Sequence, residues 1–287
     1  MTTDNPEIAN EQVADQALTV EEEQESFDGV HNTDSVERVH NFTSRFLPYR
    51  RDLVVYLPPD YEENEERRYP TLYLHDGQNL FDPETAYVRG KDWKVDETAD
   101  ALIRAGEIEP LIIVGIFNTG EHRLEEYTPT ADRKLGGGHA ELYGRMLVEE
   151  LKPYVESRYR VLPGPAYTGL GGSSLGGLAT VYLGFSYPEI FGKLAVLSPS
   201  VWWDNKAILK MIAKTQPKPR LKIWLDMGTE ESKTGLRDAN LLRDALVKKG
   251  WLPGDDLHYE VIPGGKHEEA AWAARVESVL RYLFPPR

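Results

Sequence analysis

The run Gly171-Gly172-Ser173-Ser174-Leu175-Gly176-Gly177 is the tightest constraint on how this chain folds. Gly172, Ser174 and Gly176 spell G-x-S-x-G, a pattern that sets a serine on a sharp strand-to-helix turn in a strained backbone conformation. Bare Cα atoms are needed beside such a turn, because a side chain there would run into the neighbouring strand or helix. The flanking sequence agrees with that geometry. Ala166–Leu170 reads as a short buried strand, and Leu178–Phe185 carries small and apolar residues with no helix breaker before Pro188. Five-residue matches arise by chance in Gly- and Ser-rich loops, so the strand before and the helix after carry the weight.

Around this turn the chain alternates strand and helix from Val36 onward. Strands are expected at Arg51–Leu57, Thr71–His75, Leu111–Ile116, Lys193–Leu197, Leu221–Leu225 and Leu257–Ile262. Leu111–Ile116 has no charged residue at any position, which implies burial on both faces and hence a parallel interior strand. Helices are expected near 94–106, 139–159, 176–187, 205–214, 234–249 and 268–283; in the last, Ala271, Trp272, Val276, Val279, Leu280 and Leu283 fall at helical spacing. Such alternation predicts an α/β fold with a mostly parallel central sheet flanked by helices. Neither a repeat nor a linker interrupts residues 36–287.

Charge sets the outer boundary of that domain. The net charge of −14 is concentrated in residues 1–37, which hold eleven acids and no Lys or Arg; the remaining 36 acids face 33 bases, so the body carries only −3. An acidic stretch poor in aromatic residues and lacking periodicity reads as disordered, which assigns residues 1–35 to a tail and 36–287 to the catalytic domain. No basic patch points to nucleic acid. No apolar stretch approaches the roughly 18 residues that span a bilayer. Cysteine is absent, which excludes disulfides, thiolate metal sites and thiol nucleophiles. The start of the chain lacks the basic and apolar regions of a signal peptide, so cytoplasmic residence is the default expectation.

A serine hydroxyl is a poor nucleophile at neutral pH, and Ser174 needs a base to take its proton. Of the seven histidines, His267 is placed best, in a Gly-rich loop after the last strand, because loops at that end of an open α/β sheet line the ligand crevice. His31, His40, His122, His139 and His258 fit worse, and His75 reads as a loop brace. The base needs a carboxylate to fix its tautomer. In the order Ser, acid, His, the turn after Leu221–Leu225 offers Glu231 and Glu230. Two N–H donors must meet the oxyanion: Leu175, at the start of the following helix, and Gln78, in the loop after the strand that ends at His75. Asp76, Asn79, Trp202 and Trp203 are candidate substrate contacts, although a Trp is more often a packing anchor. Asp204 and Asn205 either bond a polar substrate or cap the next helix. Ser173 and Ser198 are expected to be dispensable.

Tyr73 through Asn79, Asp92-Trp93, the turn at Ser174, Ser198 through Trp203, Asp226 through Glu231 and His267 through Trp272 together resemble one family. It is the esterase family of α/β-hydrolases that includes enterochelin (siderophore) esterases, acetyl-xylan and feruloyl esterases, S-formylglutathione hydrolases and mycolyltransferases. The resemblance spans about residues 36–284. It implies an α/β-hydrolase fold without a large lid domain. It places the acid of G-T-x-[D/E] on Glu231 and an oxyanion donor on Gln78. The implied activity is metal- and cofactor-free cleavage of a small-molecule carboxylic ester through an acyl-enzyme. Acyl transfer, peptide hydrolysis or a silent binding protein of the same fold are the competing readings.

Overall fold

The computed structural model describes residues 32–33 and 35–287. The tail assignment, apart from Asn32, Thr33 and Ser35, therefore lies outside the described residues. Nine strands form one sheet: β1 (Asn32–Thr33), β2 (Val36–Phe42), β3 (Arg51–Tyr56), β4 (Thr71–His75), β5 (Ile112–Ile116), β6 (Thr168–Ser173), β7 (Lys193–Leu197), β8 (Lys222–Gly228) and β9 (Leu257–Ile262). Their spatial order is β1-β2-β3-β5-β4-β6-β7-β8-β9. The pairs from β5 and β4 through to β9 are parallel, whereas β1, β2 and β3 join antiparallel.

Two expectations are corrected here. β5 is interior and buried at every position, but it is parallel only to β4 and runs antiparallel to β3. Burial on both faces fixes where a strand sits, not the direction of both neighbours. The strand before the serine turn covers Thr168–Ser173 rather than Ala166–Leu170, because Pro165–Tyr167 winds into a three-ten turn. This central strand is rich in glycine for a steric reason. A Cβ on Gly171 would lie 2.6 Å from the Ala195 Cβ, and one on Gly169 would lie 2.9 Å from Leu72. β2 had no separate signal in the sequence, since Glu37, Arg38 and His40 break its apolar pattern.

Helices cover both faces. α1 (Val95–Arg104), α8 (Glu269–Ala273) and α9 (Val276–Leu283) bury Ala99, Leu102, Trp272, Val276 and Leu283 on one side. On the other lie α2 (Arg123–Tyr127), α3 (Ala140–Met146), α4 (Lys152–Arg158), α5 (Leu175–Ser186), α6 (Trp203–Lys214) and α7 (Gly235–Lys249). α5 is apolar nearly all round, as a helix enclosed by sheet and neighbours must be. The helix expected over 139–159 is continuous from Ala140 to Arg158 but widens into a π turn at Leu147–Leu151, just before Pro153, which has no N–H to continue an α-helical ladder. At the start of α6, Asp204, Asn205 and Lys206 adopt left-handed backbone, and neither Asp204 nor Asn205 caps the helix through its side chain.

One buried ion pair ties the antiparallel edge to the loops above the sheet. Arg51 on β3 grips Glu126 of α2 with two bonds, Nη1 to Oε2 at 3.0 Å and Nη2 to Oε1 at 2.8 Å. Both side chains are almost wholly buried. Arg51→Met leaves Glu126 as an uncompensated buried charge and is expected to cost about 3–5 kcal/mol of stability. Arg51→Met with Glu126→Leu should recover most of that loss. Urea unfolding of the two variants checks this, and equal losses in both would contradict the charge argument.

Candidate active site

Ser174 sits at the junction of β6 and α5 with φ 58° and ψ −120°, the strained conformation the glycine pattern required. Its N–H donates to Leu197 O at 3.1 Å, and its carbonyl accepts from the Ser200 N–H at 2.9 Å, so β7 and the loop after it clamp the turn. A Cβ on Gly172 would approach His75 to 3.1 Å, and one on Gly176 would approach Asp76 to 3.3 Å. Gly177, just outside the motif, is tighter still, with Leu197 O at 2.9 Å.

Three segments far apart in sequence meet above this turn. Ser174 Oγ lies 2.9 Å from His267 Nε2, and His267 Nδ1 lies 2.9 Å from Glu231 Oε2. The imidazole is 40% exposed while the Glu231 side chain is 2% exposed, so the ring faces a cleft and the acid is sealed beneath it. Burial alone would raise the Glu231 carboxyl. Hydrogen bonds from His267, Ser198, the Gly228 N–H and Arg275 outweigh it and hold the group below the usual carboxylate range. The edge of His267 packs on Trp272, with ring centroids 4.9 Å apart. Glu230 is exposed and touches none of this; its N–H is spent on Gly265 O. Asp226 lies within β8, wholly buried.

On the opposite side of Ser174, the loop after β4 forms a three-ten turn, Gly77–Asn79, entered through a left-handed Asp76. Asp76 is 3% exposed and is held bidentately by Arg123, Nε to Oδ1 at 2.6 Å and Nη2 to Oδ2 at 2.8 Å. Asn118 Nδ2 adds a third bond at 2.7 Å, and the Asn118 N–H donates to Gln78 Oε1 at 3.2 Å. Burial would raise Asp76, but Arg123 and Asn118 override it and keep the carboxyl low. His75 is fully buried with Nδ1 2.9 Å from the Tyr143 hydroxyl, and burial pushes its imidazole down to about 4. It is neutral and braces the loop. Leu175 opens α5, where the first N–H groups have no intrahelical acceptor.

Among the four candidate substrate contacts, the structure separates one from three. Trp202 is 49% exposed, two residues beyond Ser200, whose hydroxyl lies 3.4 Å from Ser174 Oγ. Trp203 is 1% exposed and donates its indole N–H to Thr130 O at 2.8 Å, so it anchors a loop. Asp76 is occupied by Arg123. Asn79 is buried, with its Oδ1 accepting from the Tyr87 N–H at 2.8 Å. Sequence reasoning gave no role to Arg275 or Ser200 and set Ser198 aside as dispensable, whereas the Ser198 hydroxyl donates to Glu231 Oε1 at 2.6 Å. Arg275 did leave a trace, as a lone charge between Trp272 and Val276 on an apolar helix face. A cavity of about 850 Å³ between β2, β3 and Gly77 shares no residue with the Ser174–His267–Glu231 cluster. Among the described residues no group of three or more His, Asp or Glu is arranged to hold a metal ion, and no helix is long and apolar enough to cross a membrane.

A family model described as "Putative esterase" matches residues 44–283. The chain belongs to this esterase family. As a member it is a hydrolytic enzyme, an esterase. The esterase is 26% identical over 247 residues to Uncharacterized protein YbbA of Bacillus subtilis, covering 82% of this chain and 92% of that one. It is 34% identical over 217 residues to the Iron(III) salmochelin esterase of Escherichia coli O6:H1, which covers 70% of this chain but only 47% of the relative. Among solved structures, the enterobactin esterase FES from Shigella flexneri superposes with a TM-score of 0.72 at 20% identity, over 90% of this chain and 61% of that one.

The geometry separates the two neighbouring acids in a way an assay can read. Glu231→Gln keeps the shape of the side chain but removes its charge and presents an amide that favours the wrong tautomer of His267. Removing that charge in a serine triad costs up to about 10⁴ in kcat. Glu231→Gln is expected to lose at least about 10²-fold in kcat against an aryl ester, while Glu230→Gln stays near wild type. The reverse order would reassign the acid.

Proposed function

We propose that this esterase hydrolyses carboxylic esters through an acyl-enzyme formed on Ser174, with His267 as general base and acid and Glu231 as its orienting carboxylate. The observation that carries the reading is the imidazole of His267, hydrogen-bonded at 2.9 Å to both Ser174 Oγ and Glu231 Oε2. His267 Nε2 takes the hydroxyl proton as Oγ attacks the ester carbonyl. The imidazolium that forms faces the Glu231 carboxylate. The tetrahedral oxyanion is met by the N–H groups of Leu175 and Gln78, each such donor being worth roughly 3–4 kcal/mol in the transition state. His267 then passes its proton to the departing alkoxide. A water molecule, deprotonated by the same nitrogen, releases the acid and restores Ser174.

For the substrate, we propose an ester whose acid part is aromatic. Two observations support this: an exposed indole, Trp202, lies two residues beyond Ser200, whose hydroxyl is 3.4 Å from Ser174 Oγ, and the relatives include a feruloyl esterase and an esterase structure in the presence of 2,3-dihydroxy-N-benzoyl-serine. Offset stacking of an aromatic acyl group on Trp202 would contribute about 0.5–1.5 kcal/mol.

Ser174→Ala should lose several orders of magnitude in turnover while keeping the folded state, since only Oγ is removed. An aryl phosphonate should label one site, on Ser174, and excess EDTA should leave turnover intact. Metal-dependent activity, or a labelled residue other than Ser174, would overturn the mechanism. Trp202→Ala should lower kcat/KM about three- to tenfold for dihydroxybenzoyl and feruloyl esters and leave acetyl esters unchanged. An equal effect on both classes would sink the aromatic assignment and leave the triad standing.

A further inference from the structure

The carboxylate oxygen of Glu231 that faces away from His267 is the most heavily bonded acceptor in the site. Oε1 accepts from Ser198 Oγ at 2.6 Å, from the Gly228 N–H at 2.6 Å and from Arg275 Nη2 at 3.0 Å. Ser198 Oγ in turn accepts from Arg275 Nη1 at 2.7 Å and from the Trp272 indole N–H at 3.0 Å. One hydroxyl thus uses its proton on Glu231 and both lone pairs on the donors behind it. Arg275 Nη1 also reaches Asp226 Oδ1 at 2.6 Å, while Asp226 Oδ2 accepts from the Trp224 indole at 2.8 Å. Ser198, Asp226 and Arg275 are all at most 3% exposed. Ser198 is held at a φ of 44°, and its N–H is committed to Asp226.

We infer that Ser198, Arg275 and Asp226 are positioning residues for Glu231: they lock Oε1 so that only Oε2 is presented to His267, and Asp226 offsets the charge of Arg275. The inference rests on the assignment of Glu231 as the acid partner of His267. Its physical content is twofold. A glutamate has one more rotatable bond than an aspartate, and on a loop it would wander unless its second oxygen were tied down. A lone arginine beside Glu231 would also draw off the negative charge that the imidazolium needs. With Asp226 ionised, the buried group Asp226–Arg275–Glu231 carries a formal charge of −1 and leaves that charge facing His267.

Burial pushes the Asp226 carboxyl up to about 6, against the opposing pull of Arg275 and Trp224, so the group is ionised above that range. The other ionisable groups on elements packed around it are Lys193 of β7, His258, Tyr259 and Glu260 of β9, Arg237, Asp238, Arg243, Asp244, Lys248 and Lys249 of α7, Glu269 of α8, and Glu277, Arg281 and Tyr282 of α9. Glu260 is the register partner of Asp226 and lies 3.5 Å from His258. Asp226→Asn imitates the protonated state at every pH.

The test compares Ser198→Ala, Asp226→Asn and Glu231→Gln with wild type, each checked for folding by circular dichroism, using an aryl ester over pH 5–9. Ser198→Ala and Asp226→Asn are expected to lose about tenfold in kcat with KM nearly unchanged. In Asp226→Asn the low-pH limb of kcat/KM should also move to lower pH by about half a unit, because the imidazolium loses part of its stabilisation. The low-field proton resonance of the His267–Glu231 hydrogen bond should shift upfield in both. If Asp226→Asn fails to fold, Ser198→Ala carries the test through kcat and the resonance. Folded variants with wild-type kcat, pH limb and resonance would overturn the inference. Unimpaired Glu231→Gln would instead overturn the assignment of the acid on which it rests.

Discussion

A serine at φ 58° and ψ −120° does not hold itself there. Such a backbone conformation costs about 1–3 kcal/mol for a residue with a Cβ and persists only where its surroundings over-determine it. Here both peptide groups of Ser174 are committed, one to Leu197 and one to Ser200. Gly172, Gly176 and Gly177 let His75, Asp76 and the end of β7 close around the turn. The position of β6 in the middle of the sheet follows from the same requirement. Only an interior strand has a parallel neighbour on each side, β4 and β7, whose exits bracket the serine. The loops after β4, β8 and β9 then have one place to converge.

What converges there is charged, and the charges are sorted into buried arginine–carboxylate sets. Arg51 holds Glu126, Arg123 holds Asp76, and Arg275 is shared between Asp226 and Glu231. Ion pairs of this kind seldom stabilise a fold relative to apolar packing, because the desolvation of both partners offsets their attraction. Their effect is on orientation. A bidentate guanidinium fixes a carboxylate in plane and distance. Each of these pairs sits behind a loop that frames the serine, so rigidity is concentrated where a transition state needs donors that do not reorganise. His75 contributes to the same rigidity, buried beneath the loop with its Nδ1 2.9 Å from the Tyr143 hydroxyl.

Much of this was legible in the chain. Strand–helix alternation led to the α/β sheet because apolar runs such as Ile112–Ile116 are long and unambiguous. Ser174, Glu231 and His267 stood out because their neighbours carry local signals: glycines at the turn, G-T-E-E after a strand, and P-G-G-K-H after another. Residues whose importance lies in who they touch were not legible. Arg275 and Ser198 meet Glu231 only once α9, β7 and β8 have packed, and no short spacing encodes that meeting. Trp203 and Asn79 erred in the opposite direction. Their sequence neighbourhood suggested contact with substrate, while both are buried and bonded to backbone, Trp203 to Thr130 O and Asn79 to the Tyr87 N–H. β2 was lost for a related reason, since polar residues on a half-buried strand look like loop; β3 was expected as a strand, but nothing local encodes its antiparallel direction.

The distribution of indoles has an optical consequence. The chain has six tryptophans, and Trp93, Trp203, Trp224, Trp251 and Trp272 are each at most 6% exposed, leaving Trp202 as the one open to water. A collisional quencher such as acrylamide or iodide therefore reaches essentially one emitter, two residues from a hydroxyl that lies 3.4 Å from Ser174 Oγ. The quenchable fraction of the native emission is in effect a spectroscopic channel for the mouth of the cleft, built into the unmodified chain.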